Sequence, residues 1–194
     1  MGYGGRRRRQ MINRLEQHTR AVFKAVIFAT LFLLLAGVAQ ARVPDGWPFL
    51  EYNEAVRVAR QTNKPLFVYY GFETCPYCIY LNKNTLSFEA LRVRYSEHYV
   101  LAYFDIRANP NDPMTLPTGE SLPRGQAIRK LKGSPVPAWA FVTPDGREIL
   151  MRRGSRTKVD AFMKFDQYVT SGVWPQTTFE EFLAQRGLRE DKVE

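Results

Sequence analysis

Cys75 and Cys78 are the only cysteines of the 194-residue chain, separated by Pro76 and Tyr77. Two thiols at this spacing can close a disulfide between themselves or open one elsewhere, so the candidate chemistry is thiol–disulfide exchange. Exchange needs one sulfur that attacks as a thiolate and a second that closes on the resulting mixed disulfide. The preceding run, Pro65-Leu66-Phe67-Val68-Tyr69-Tyr70-Gly71, reads as a buried strand. A helix then opens at Cys75, where unpaired N–H groups and the helix dipole favour negative charge. Cys75 is therefore the candidate nucleophile. Cys78, one turn further in and expected to be the more shielded, is the candidate resolving thiol. Pro76 suits the first helical turn, where a missing N–H costs little.

Other uses of two cysteines fit less well. A structural disulfide across so short a loop gains little chain entropy. Zinc needs four ligands, and one Cys-x-x-Cys with one histidine beyond residue 41 (His98) does not supply them. His98 falls between a helix and a strand and reads as a surface residue. Glu73, two residues before Cys75, is the nearest carboxylate. It is either a proton relay for the resolving thiol or a solvated charge. No cofactor or metal pattern appears; the redox group is the Cys75–Cys78 pair itself.

The formal charge of +9 is unevenly spread. Residues 1–41 carry seven basic residues and one acid, and the remainder 21 basic and 18 acidic. The basic excess thus belongs mostly to the N-terminal segment, which argues against a nucleic-acid partner. In that segment basic residues precede the apolar run Ala25–Val38, and Ala39-Gln40-Ala41 follows it. This is the layout of a signal peptide cut after Ala41, with an uncleaved membrane anchor over residues 1–41 as the alternative. Met11 is a second candidate start. Export would place the dithiol where no glutathione pool keeps it reduced.

Residues 42–194 read as one domain with a C-terminal helical tail. Arg42–Leu50 is a lead-in in which Trp47 and Phe49 can pack. Asn53 is the expected N-cap of a helix over Glu54–Gln61, followed by a strand over Leu66–Tyr70. A helix from Cys75 towards Leu86, another over Phe88–Tyr95 and a strand over Tyr99–Ile106 come next. Asn109–Pro123 holds four prolines and reads as a loop. A short helix over Gly125–Leu131 precedes strands at Ala138–Val142 and Arg147–Met151, joined by the turn Pro144-Asp145-Gly146. An amphipathic helix over Thr157–Thr170 and a short one over Phe179–Leu183 close the chain. The order implies an α/β fold, a central mixed sheet with helices on both faces.

Two stretches resemble thioredoxin-fold thiol–disulfide oxidoreductases. Phe67 to Cys78 is similar to the family's active-site strand and motif. Val136-Pro137-Ala138-Trp139-Ala140-Phe141-Val142-Thr143-Pro144-Asp145-Gly146 is similar to its second signature, a cis-proline before a strand and a turn ending in glycine. The resemblance covers about residues 50–171. It implies a thioredoxin-like fold and makes Pro137 the cis-proline, with Pro135 the competing position. Val136 would then offer backbone hydrogen bonds to an extended polypeptide, and Pro76, Tyr77, Val136 and Pro137 become the candidate substrate-binding residues. Two departures stand out. The family's buried Asp on the strand before the motif is Tyr69 here, and its Trp before the first cysteine is Thr74.

Among family members the chain is similar to exported SoxW-type periplasmic thioredoxins, which share the Cys-Pro-Tyr-Cys-like motif, a prolonged loop and a tail like residues 168–183. That likeness implies a periplasmic reductant of protein disulfides, fed by a membrane thiol reductase and serving sulfur-oxidation proteins or cytochrome c maturation. The same site could instead serve an oxidase or isomerase of exported proteins. A non-catalytic binding module that holds a partner with the Pro123–Pro137 region and the aromatic tail is the third reading.

Overall fold

The computed structural model describes residues 43–189; the expectations for residues 1–41 lie outside the described residues. In chain order the elements are β1 (Leu50–Glu51), α1 (Tyr52–Thr62), β2 (Leu66–Gly71) and α2 (Pro76–Leu81), which continues as a π-helical segment, Asn82–Leu86. Then come α3 (Glu89–His98), β3 (Val100–Asp105), β4 (Pro113–Thr115), β5 (Ser121–Pro123) and α4 (Arg124–Lys130). The chain ends with β6 (Ala138–Val142), β7 (Glu148–Arg153), α5 (Val159–Ser171) and α6 (Phe179–Ala184).

Five strands form one sheet in the order β1-β3-β2-β6-β7. β1, β3 and β2 are parallel, whereas β6 and β7 are antiparallel additions. Every residue of β2 is buried, as expected of a strand covered on both faces. Its alternating side chains divide the interior in two. Phe67 and Tyr69 join Leu101, Trp139 and Phe141 under α3, α5 and α6. Leu66, Val68 and Tyr70 join Phe104, Ala138 and Ala140 under α1 and α4. The first face is dense in aromatic contacts, such as Phe67 edge-on to Tyr95 (centroids 4.9 Å apart) and Trp139 against Phe162 (4.7 Å). Each such pair adds about 0.5–1.5 kcal/mol beyond its buried area.

Three expectations change. Asn53 is not the cap of α1. Glu51 takes that place and accepts the Asn53 N–H at 2.8 Å. The Asn53 side chain instead donates to the Pro113 carbonyl and accepts from Thr115 N–H, pinning the proline-rich stretch to α1. That stretch is not all loop, since β4 and β5 pair within it as a small hairpin. The lead-in contributes an unforeseen edge strand, β1, and the Trp47 indole donates to the Leu86 carbonyl at 2.6 Å.

His98 is more than a surface residue. It meets the fully buried Asp166 at 2.7 Å, beside Arg94 and the Tyr99 hydroxyl, so α3 and α5 are joined by a satisfied buried carboxylate. On the other face, the Gly133 N–H closes α4 on the Ile128 carbonyl, and the chain crosses the Tyr70 ring on its way to Pro137. A Cβ at Gly133 would lie 2.6 Å from Tyr70 Cδ1.

Gly133→Ala is expected to displace Tyr70 and cost about 1–3 kcal/mol in urea unfolding. Burial also pushes up the hydroxyls of Tyr52, Tyr69, Tyr70, Tyr95, Tyr99 and Tyr103. A raised folded-state value means this stabilisation is whole below the unfolded tyrosine value of about 10 and is lost as pH rises beyond it. Stability should therefore hold up to about pH 9 and then fall, with tyrosinate absorbance rising in the same cooperative step as unfolding.

Candidate active site

β2 delivers the chain to the start of α2 through one tight turn, closed by the Cys75 N–H on the Phe72 carbonyl at 3.2 Å. Cys75 is the N-cap, in extended conformation, with Pro76 in the first turn. The Cys78 N–H donates to Cys75 Sγ at 3.2 Å. One of the helix's orphan donors is thus spent on the sulfur, an interaction stronger with a thiolate than with a thiol. Both cysteines are free thiols.

Their shielding is not what the helical position implies. Cys75 is 2 % exposed and Cys78 3 %, so burial does not separate them. Access does. A cleft of about 500 Å³ is lined by Pro44, Phe72, Glu73, Cys78, Asn82 and Lys83 among others, and Cys75 is not on its wall. Cys78 therefore borders this cleft, which Glu73 and Asp45 share.

Gly71 makes room for the second sulfur. A Cβ there would lie 3.4 Å from Cys78 Sγ, 3.5 Å from Tyr69 Cε1 and 3.6 Å from Tyr103 Cε2. Burial pushes the Cys78 thiol up to about 12, helped by the hydrogen bond and charge of Cys75 and opposed by the Phe72 backbone and the Tyr69 hydroxyl. Tyr69 is itself pushed up by burial, so its hydroxyl stays protonated and remains a donor. It donates to Asn82 Oδ1 at 2.9 Å. A phenol and an amide thus stand beside the resolving sulfur, at the position where the resemblance places a carboxylate. Asn82 opens the π-helical segment, where the backbone widens, as such segments often do at functional sites. Asn82 and Cys78 line the same cleft, and their i,i+4 spacing, which puts both on one helix face, is the sequence signal for it.

Of the substrate-facing candidates, Tyr77 is 66 % exposed in the motif itself. Pro76 is exposed, Val136 half-buried and Pro137 buried. The Val136–Pro137 and Ser134–Pro135 peptide bonds are both cis. The Pro137 carbonyl accepts from Gly154 N–H at 3.1 Å, whereas the backbone N–H and carbonyl of Val136 have no partner among the described residues. No group of residues able to hold a metal ion occurs among the described residues.

A family model described as a thioredoxin-like domain matches residues 52–170. No curated protein sequence matches the chain. The fold is similar to that of a thioredoxin from Thermus thermophilus, with 21 % identity and a TM-score of 0.53 over 66 % of this chain and 93 % of that one. It is also similar to a DsbH oxidoreductase, with 14 % identity and a TM-score of 0.51 over 70 % of this chain and 95 % of that one.

Tyr69→Phe removes the donor that favours the Cys78 thiolate. A hydrogen bond to a charged group contributes about 1.5–3 kcal/mol, so without the Tyr69 hydroxyl the Cys78 thiolate should be harder to form by that order. Closure of the mixed disulfide should slow correspondingly near neutral pH, while the first attack by Cys75 is spared. Stopped-flow resolution rates across pH report this, and an unshifted profile would take Tyr69 out of the proton path.

Proposed function

The chain belongs to the thioredoxin-like domain family, and on that premise we propose that it is an exported thiol–disulfide oxidoreductase that reduces protein disulfides. The observation that carries the oxidoreductase part of this reading is the asymmetry of the pair. Cys75 Sγ receives a helix N–H at 3.2 Å, while burial pushes the Cys78 thiol up to about 12. One sulfur is prepared to attack and the other to wait.

The Cys75 thiolate attacks one sulfur of a client disulfide. A bond forms between the two sulfurs, the client's S–S bond breaks, and its second sulfur leaves as a thiolate. Cys78 then loses its proton, with the Tyr69 hydroxyl turning from Asn82 to the nascent thiolate, and attacks Cys75 Sγ. The mixed disulfide breaks, and the client leaves as a dithiol. The protein is left with a Cys75–Cys78 disulfide, two electrons having passed to the client. The unpaired backbone groups of Val136 suit an extended client segment, which would add to the site as a short strand.

The reductant direction rests on the similarity to exported SoxW-type thioredoxins, which also motivates a membrane thiol reductase as electron source. Export itself rests on the residues before Arg42; no described helix is long and apolar enough to cross a membrane. Run backwards, the same site would oxidise client dithiols.

Cys78→Ser is expected to trap client proteins as mixed disulfides on Cys75, resolved on a non-reducing gel, and Cys75→Ser to trap none. A reduction potential near or below about −220 mV supports the reductant reading, and one of about −120 to −180 mV would replace it with an oxidase or isomerase. Unimpaired function in Cys75→Ser would instead make the domain a binding module.

A further inference from the structure

The basic surplus of the described domain is concentrated in one stretch of the sequence. Between residues 129 and 158 lie eight basic and two acidic residues, against eleven basic and thirteen acidic in the rest of residues 43–189. Sheet topology brings four of these eight, Lys132, Arg153, Arg156 and Lys158, towards one end. β2 and β3 finish together, Gly71 opposite Asp105. β6 starts and β7 finishes there too, with Tyr70 opposite Ala138 and Ala138 opposite Arg153. The segments entering or leaving this end carry Arg107, Lys132, Arg153, Arg156 and Lys158, all of them exposed.

Hydrogen bonds fix these segments around the motif. Gly154 N–H holds the Pro137 carbonyl at 3.1 Å, and Arg153 donates to the Lys132 carbonyl. Thr85 Oγ1, on the helical segment that follows the cysteines, donates to the Thr157 carbonyl at 2.7 Å. Arg107 lies over the Phe72 ring, 4.1 Å from its centroid. Arg107 therefore flanks the cysteine turn and Arg153 the segment that carries the unpaired backbone of Val136, while Arg156 and Lys158 lie on the adjoining segment that Thr85 holds.

The carboxylates at this end do not neutralise them. Asp105 accepts the backbone N–H of Arg107, and Glu51 and Asp112 face Arg124 at 3.8 and 3.9 Å. Glu180 pairs with Arg152, and Asp160 with Lys164. Lys132, Arg153, Arg156 and Lys158 have no carboxylate partner among the described residues, and the exposed acids nearest the cysteines are Glu73 and Asp45, both in the cleft that Cys78 lines.

We propose that this cationic rim selects clients whose disulfide lies in an acidic, extended polypeptide segment. The inference rests on the oxidoreductase reading and deepens it. Backbone pairing at Val136 is blind to sequence, so discrimination must come from side chains around it. Unpaired charge of one sign raises the encounter rate of an oppositely charged partner, about 10-fold to 1000-fold at low ionic strength.

The test uses the reduced full-length protein and three synthetic peptides. Each carries the same intramolecular disulfide, flanked by Asp and Glu, by Ser, or by Lys and Arg. The acidic peptide should react about tenfold or more faster than the basic one at low salt, with the gap closing as salt shortens the Debye length. Arg156→Glu with Lys158→Glu should abolish or reverse that ratio. Arg57→Glu with Lys64→Glu makes the same change in net charge on α1 and at the opposite end of β2, and should leave the ratio standing. Equal acidic and basic rates in the wild-type protein overturn the inference, as does an equal loss in both double variants. Reaction with the Ser-flanked peptide reports the oxidoreductase reading separately. If that peptide reacts and the ratio is one, only the charge selection fails; if no peptide reacts, both fail.

Discussion

The hydrogen bond from the Cys78 N–H to Cys75 Sγ exists only because α2 begins where it does, and α2 begins there because β2 cannot move. β2 is the middle strand of five and is covered on both faces, so shifting it by one residue would exchange the aromatic Phe67 and Tyr69 with Leu66, Val68 and Tyr70 across the sheet. The turn after Gly71 is closed on Phe72, which leaves the helix one place to start. Placement of the attacking sulfur is thus a consequence of core packing, and the chemistry inherits the rigidity of the sheet.

The resolving sulfur depends on that strand as well. Gly71 and Tyr69 lie on β2, and both approach Cys78 from beneath. A side chain at Gly71 would crowd the sulfur, and a different group at Tyr69 would change what stabilises it once it loses its proton. A buried carboxylate can take a proton, whereas a buried phenol can only lend one. The Tyr69 hydroxyl bonds Asn82 near Cys78, and the cleft that Cys78 lines also holds Glu73. The two thiols have almost the same exposure and differ in what each can reach.

Around this centre the domain keeps its charges apart by purpose. Ion pairs such as Arg152–Glu180 and the Asp166 cluster fasten helices to one another or to the sheet. The cations on the loops at the active-site end are left for solvent or a client. Exposed pairs add little to stability, so unpaired charge on those loops costs the fold little while shaping encounters with partners.

The sequence by itself determined the main strands and helices and the spacing of the cysteine pair. Continuous apolar runs at Leu66–Gly71, Val100–Asp105 and Ala138–Val142 have one use, as strands buried on both faces, and the Asp145-Gly146 turn dictates the antiparallel β7. Cys-Pro-Tyr-Cys at the end of such a strand is local information of the same kind. Only the tertiary structure decided what lies across from what. Asn53 left its expected capping role because Pro113 and Thr115, some sixty residues away, offered it better partners. His98 met Asp166 through the packing of α3 on α5, and the hairpin within the proline-rich stretch formed against α1. Tyr69 and Asn82 converged on Cys78, and Arg153, Arg156 and Lys158 on the motif, because strands ending at one edge of a sheet gather loops remote in sequence. Periodicity and propensity act over a few residues, whereas the proton path and the charged rim are set by contacts between segments that only the folded chain brings together.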